Sequence, residues 1–246
     1  MTLVEQIRRL LPEASKFLTI GAVAYVVDVG VFNVVLFGSD TLLGEVKPLT
    51  AKVYERPMLF VPPFVNKYYL MDLEPENSFV RWTLEQGHRL FLVSFKNAGE
   101  AEAHVAWDDY VERGVIDAIR VAQEVSGQKQ INVLGFCVGG TLLISALAAL
   151  AARREKPASS ITLLTTMLDF SDVGVIDVYV DEAQVVQREQ SISKGGLMPG
   201  RDFAAAFSSL RPNDLVWNYV EANYLKGEAP PAFDLLYWNS DSTNLP

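Results

Sequence analysis

Hydrophobic and polar positions divide the chain into two unlike parts. After a short polar helix-like stretch, Met1 to Pro12, the sequence is almost wholly apolar from Phe17 to Phe37. A helix of about 20 apolar residues spans a bilayer's hydrocarbon core, so residues 17–37 are expected to form a membrane-spanning helix. Arg8, Arg9 and Lys16 precede the run, while Asp40 and Glu45 follow it, which would keep the basic flank cytoplasmic. Asp28 and Asn33 inside it would need partners in a helix bundle. No small-residue cleavage site follows, which argues against a signal peptide.

From about Lys47 the pattern changes to short apolar runs alternating with helical periods. The runs 57–63, 89–95, 130–136 and 160–166 read as strands. Segments 74–86, 103–126 and 138–153 read as helices. Within 103–126, Val111, Val115, Ile116, Ile119 and Ala122 recur on one side. Continuous apolar strands alternating with helices predict a parallel sheet covered on both faces. After Asp169 the pattern is mostly helical, over 173–189 and 203–224, with a Gly- and Pro-containing loop at 191–201. Asn213 or Asp214 is the expected cap of a helix within the second stretch.

Composition narrows the chemistry. Half of the 246 residues are apolar, with 13 Phe, 9 Tyr and 4 Trp, enough for a sizeable core. A net charge of −9 without any Lys/Arg-rich run argues against nucleic acid as a partner. Cys137 is the only cysteine, which excludes an intrachain disulfide framework and a multi-cysteine metal site and suits a reducing cytoplasm.

That cysteine is the centre of the strongest motif, Gly135-Phe-Cys137-Val-Gly139, set between an apolar strand and a helix rich in small residues. A strand that stops, turns sharply and presents one side chain at the start of a helix is a nucleophile elbow. The positive end of the helix dipole is expected to favour the thiolate, the reactive form of the thiol. The elbow specifies the α/β-hydrolase variant of the parallel-sheet fold. The helices after Asp169 then read as a cap over the active site.

Several strings together resemble the poly(3-hydroxyalkanoate) synthases, in particular the class I branch that takes short-chain monomers. They are residues 47–57, 61–69, 85–94, 107–110, 131–140, 163–170 and 210–219, and the closing Tyr237-Trp-Asn-Ser-Asp-Ser-Thr-Asn-Leu-Pro246. The likeness covers about 200 residues. It implies acyl transfer from (R)-3-hydroxyacyl-coenzyme A to the cysteine, followed by attack of the growing polyester chain on the acyl-enzyme, without cofactor or metal. Cys137 takes the nucleophile position. The backbone N–H of Val138 is the expected oxyanion donor, with Val65, in the loop after the first strand of the domain, as the second. A cytoplasmic enzyme at the polyester granule surface and a homodimer through the cap are also implied. In that family the catalytic aspartate and histidine lie downstream of the part matched here, so this sequence is expected to be inactive alone and strand 160–166 to form an exposed sheet edge. His88 reads as a turn residue at a strand entrance, His104 as a solvated helix residue, and Asp108 and Asp109 as helix-start carboxylates.

Residues 16–21 and 27–33 resemble the first membrane helix of GtrA-like proteins, and the string 47–53 fits both likenesses. The expected organisation is thus a hydrophobic segment at 1–44, an α/β-hydrolase core at 45–170 and an incomplete cap at 171–246. Two other functions compete with the polymerase: a non-catalytic membrane-anchored interaction fragment, and another Cys-type α/β-hydrolase such as a thioesterase.

Overall fold

Strand residues alternate between two faces, and here both faces are buried. Leu59, Val61, Phe91, Val93, Ile131 and Val133 join one apolar cluster, while Phe60, Leu90, Leu92 and Leu134 join another on the opposite side. The computed structural model describes residues 32–37, 53–179, 181–193, 195–210, 212–229 and 241–246. Its sheet contains β1 (Phe32–Phe37), β2 (Met58–Val61), β3 (Leu90–Phe95), β4 (Ile131–Phe136) and β5 (Ala158–Leu164), in the order β1-β3-β2-β4-β5. Strands β2 to β5 are parallel, and β1 runs antiparallel along β3.

Three helices connect the parallel strands. Helix α1 (Phe79–Glu85) covers the Phe60 face, to which Phe79, Val80 and Leu84 contribute. Helices α2 (residues 107–126) and α3 (Val138–Ala152) cover the other face through Val115, Ile116, Ile119, Ala122, Leu142, Leu143 and Ala146. The five positions expected on the buried side of α2 are all in this core. Beyond β5 lie α4 (Glu182–Ile192), α5 (Gly200–Leu210) and α6 (residues 212–225). Among the described residues β5 is the other edge of the sheet, with Ser159 to Thr162 exposed, as expected for that strand.

Four expectations need correction. Residues 32–37, the end of the run expected to cross a bilayer as a helix, are a strand whose register places Phe32 opposite Phe95 and Phe37 opposite Leu90. Apolarity alone does not separate a buried strand from a helix, and Phe-Asn-Val-Val-Leu-Phe is rich in β-favouring residues. Residues 17–31 of that expectation lie outside the described residues, among which no helix is long and apolar enough to cross a membrane.

The helix expected over 74–86 is broken at Ser78, whose Oγ accepts from Arg81 N–H at 2.7 Å and caps α1. Likewise α2 starts at 107 rather than 103, because Asp109 Oδ2 accepts from Ala106 N–H at 3.0 Å and closes the helix start there. Its middle, Tyr110–Ile116, is wound in the wider π form. Finally, Asn213 and Asp214 are not caps: Pro212 occupies the first turn of α6 and both residues lie inside the helix. Proline is preorganised for that position, having no N–H to leave unpaired.

Candidate active site

The topology itself marks where a site belongs. The helix after β2 packs on one face of the sheet and the helix after β4 on the other, while β2 and β4 are neighbours. The loops leaving their C-terminal ends therefore diverge and open a crevice between them. Val65 lies in the first of these loops and Cys137 in the second.

Cys137 sits between β4 and α3 with φ 53° and ψ −130°, a conformation rarely adopted by a residue with a side chain. Its surroundings fix it there. The Cys137 N–H donates to Leu164 O at 2.9 Å, and its carbonyl accepts from Gly140 N–H at 2.9 Å and Thr141 N–H at 3.4 Å. The loop after β5 clasps the elbow from the other side: Thr165 has φ 42°, Thr166 Oγ1 donates to Leu164 O at 3.1 Å, and Thr141 Oγ1 donates to Met167 O at 2.8 Å. The thiol itself is half-buried.

Glycines permit this close approach. A Cβ on Gly135 would lie 2.4 Å from Gly140 Cα, and one on Gly139 would lie 2.3 Å from Pro62 O and 2.5 Å from Val61 O. The start of α3 thus rests directly on the end of β2. Val138 is the first residue of α3 and packs against the main core. As in any α-helix, its first-turn N–H has no intrahelical acceptor. Val65 is buried, and its carbonyl accepts from Thr243 N–H at 3.2 Å. Phe64 beside it packs on Phe95, Trp107 and Tyr110. Burial pushes the Tyr110 phenol up to about 12.

The histidines are not brought to the thiol. His88 precedes β3 at the opposite end of the parallel strands, which at about 3.3 Å per residue puts it roughly 20 Å from Cys137 along the strand direction. Its N–H donates to Thr83 O and its ring stacks on Tyr54 at 4.7 Å, consistent with a turn residue. His104 is exposed in the turn before α2, not in the helix where it was expected. Asp108 is exposed in the first turn of α2, and Asp109 closes its start. The sequence reading missed the segment 241–245 as part of this neighbourhood. Nothing short of long-range contact information could have placed it against Val65.

Comparison with known proteins agrees with this fold. The family described as alpha/beta hydrolase fold matches residues 72–246, and that described as the N-terminus of poly-beta-hydroxybutyrate polymerase (PhaC) matches residues 32–83. The second match begins inside the stretch likened to GtrA proteins, so residues 32–37 belong with the polymerase pattern as well as with the sheet. A poly(3-hydroxyalkanoate) polymerase subunit PhaC from Cupriavidus necator is 58% identical over 207 residues, covering 82% of this chain and 35% of that protein. The corresponding subunit from Rhizobium meliloti is 43% identical over 197 residues, covering 80% and 32%. The chain thus spans about a third of the length of these relatives. Among solved structures, a candidate lipase from Sulfolobus solfataricus superimposes with a TM-score of 0.52 at 12% identity, over 87% of this chain and 72% of its own, which supports the fold alone. The chain belongs to the α/β-hydrolase fold family, and within that family its sequence kinship is with the poly(3-hydroxyalkanoate) polymerases.

Proposed function

We propose that this chain is the nucleophile-bearing part of a poly(3-hydroxyalkanoate) polymerase. Its acyl acceptor is Cys137 and its donor an (R)-3-hydroxyacyl-coenzyme A. The observation that carries the reading is the strained backbone of Cys137, held at the C-terminal end of β4 beside the switch between β2 and β4. Strain of this kind persists where the surrounding structure over-determines it, and it clusters at reacting groups.

In the proposed step the thiolate attacks the thioester carbonyl. The carbonyl oxygen takes up negative charge and accepts from Val138 N–H and, from the loop after β2, Val65 N–H. Collapse re-forms the carbonyl, breaks the bond to the coenzyme A sulfur and leaves the acyl group on Cys137. The departing thiolate takes a proton. The 3-hydroxyl of a polyester chain then attacks this new thioester, which frees Cys137. That second step needs a base for the hydroxyl. His88 lies at the wrong end of the sheet and His104 is exposed in a turn, so the reading assigns the base, with its aspartate, to residues outside this sequence. A homodimer through the cap and a place at the granule surface belong to the same reading. Trp217 and Tyr224, 58% and 84% exposed on α6, support a covered cap.

The test is incubation of the purified chain with 3-hydroxybutyryl-coenzyme A, followed by mass spectrometry of the Cys137 peptide. We expect a single acyl group on Cys137, one equivalent of free coenzyme A and no polymer. Coenzyme A release that persists in Cys137→Ala would refute the assignment.

A further inference from the structure

We infer that residues 241–245 form a strap that positions the oxyanion loop after β2. This inference rests on the acyl-transfer reading above and adds residues that it does not use. The strap ties three separated parts of the chain together at the mouth of the crevice. On the loop itself, Thr243 N–H donates to Val65 O at 3.2 Å, Tyr69 donates its hydroxyl hydrogen to Asp241, and Lys67 Nζ lies 3.7 Å from the Asp241 carboxylate. On the loop after β3, Asn97 Oδ1 accepts from Asn244 N–H at 2.7 Å. At the start of α5, Asn244 Oδ1 accepts from Gly200 N–H at 2.9 Å.

Two further contacts fix the course of the strap. Leu245 forms a two-way backbone bridge with Met198, at 2.8 and 3.0 Å, and packs on the main core. Gly200 lies so close that a Cβ there would sit 2.8 Å from the Ser242 carbonyl oxygen, so the strap passes in contact with the helix start.

The functional consequence follows from the loop's backbone. A carbonyl held at Val65 fixes one of the peptide planes flanking the proposed donor, while the hold on Lys67 and Tyr69 limits motion further along the loop. An oxyanion donor works only when its N–H already points at the place where charge develops. Asp241 and Asn244 are therefore positioning residues. They act through the loop and touch no reacting atom.

A comparison of two reactions of the same thiol tests this. Transfer from 3-hydroxybutyryl-coenzyme A passes through an oxyanion, whereas alkylation by iodoacetamide displaces iodide and forms none. Asn244→Ala in the 246-residue chain removes the side-chain hold on Gly200 N–H. We expect it to slow acylation of Cys137 by about ten- to a hundredfold, the scale of a small misplacement, and to leave alkylation within about twofold. Asn244→Asp keeps an acceptor for Gly200 N–H but gives up the Nδ2–H that Asn244 donates to Ala98 O at 3.4 Å, so it should recover only part of the loss. Tyr69→Phe, which deletes the hydroxyl bond to Asp241, supplies the same comparison should Asn244→Ala fold poorly, and it should slow acylation several-fold with alkylation preserved. Equal acylation rates in all variants overturn the strap, as do acylation and alkylation falling together. A wild-type chain that is alkylated but never acylated overturns the acyl-transfer reading itself, and the strap with it.

Discussion

Gly139→Ala separates two opposed effects at the elbow. Helix propensity alone makes alanine the better residue by about 1 kcal/mol inside a helix, and less in its first turn. The local geometry argues the other way. A Cβ on Gly139 would lie 2.3 Å from Pro62 O, 2.5 Å from Val61 O and 2.6 Å from Pro62 C. Ordinary carbon–oxygen contacts begin at about 3.3 Å, so α3 and the end of β2 must part by about 1 Å. Both clashing groups are main chain, and no side chain can rotate away. Overpacking of this kind costs about 1–3 kcal/mol and sometimes more. The balance is a net loss of about 2 kcal/mol. At about 2–4 °C per kcal/mol for a chain of this size, the melting temperature should fall by about 4–8 °C. Calorimetry or circular dichroism reads this directly. Acylation of Cys137 supplies a second readout, because the same displacement separates Val138 N–H from the loop that carries Val65. A melting temperature equal to or above that of the unmodified chain would show that the β2 end yields freely and would refute the packing argument.

Three other outcomes are expected. Cys137→Gly should melt above Cys137→Ala by the equivalent of about 1–2 kcal/mol, because glycine adopts φ 53° without strain and alanine does not; equal melting temperatures would contradict the strained elbow. Burial raises the Tyr110 phenol to about 12, above the ordinary value of about 10 for an unfolded chain. Its contribution to stability is thus fully present below pH about 10 and is lost as pH rises through about 12, a loss that thermal melts of Tyr110→Phe over this window should lack. Ile161, 50% exposed on the edge strand β5, should accept lysine with little change in melting temperature, and Ile161→Lys should raise the soluble fraction of the expressed chain; an unchanged or lower fraction would absolve the edge.

What the sequence made legible was local. Strand and helix succession, the buried side of α2 and the elbow at Cys137 all follow from patterns within a dozen residues, where apolar spacing and glycine placement leave few alternatives. Helix starts were shifted where a side chain competed for a backbone N–H, as Ser78 and Asp109 do. The reading of 17–37 as one helix failed at 32–37, since an apolar run suits an edge strand beside β3 equally well. The strap at 241–245 was recognised as part of a family string, but its contact with Val65 joins residues far apart in the chain, and no periodicity encodes such a pairing.

The elbow's dependence on β5 links stability to reactivity in this chain. The N–H of Cys137 is held by Leu164, the last residue of β5, and the clasp of Thr166 and Met167 continues from that strand. Among the described residues β5 is paired with β4 along one side alone, and Ser159 to Thr162 are exposed. Edge strands open more readily than central ones, since fewer buried contacts oppose local unfolding. Each opening of the β5 end removes the acceptor that holds Cys137 at positive φ, and the strained turn is then free to relax. Reactivity at Cys137 should therefore follow the local stability of β5 more closely than that of the β2–β3 core. Pairing on the outer side of β5 would hold Cys137 in its strained turn for a larger fraction of the time, without any contact to the thiol itself.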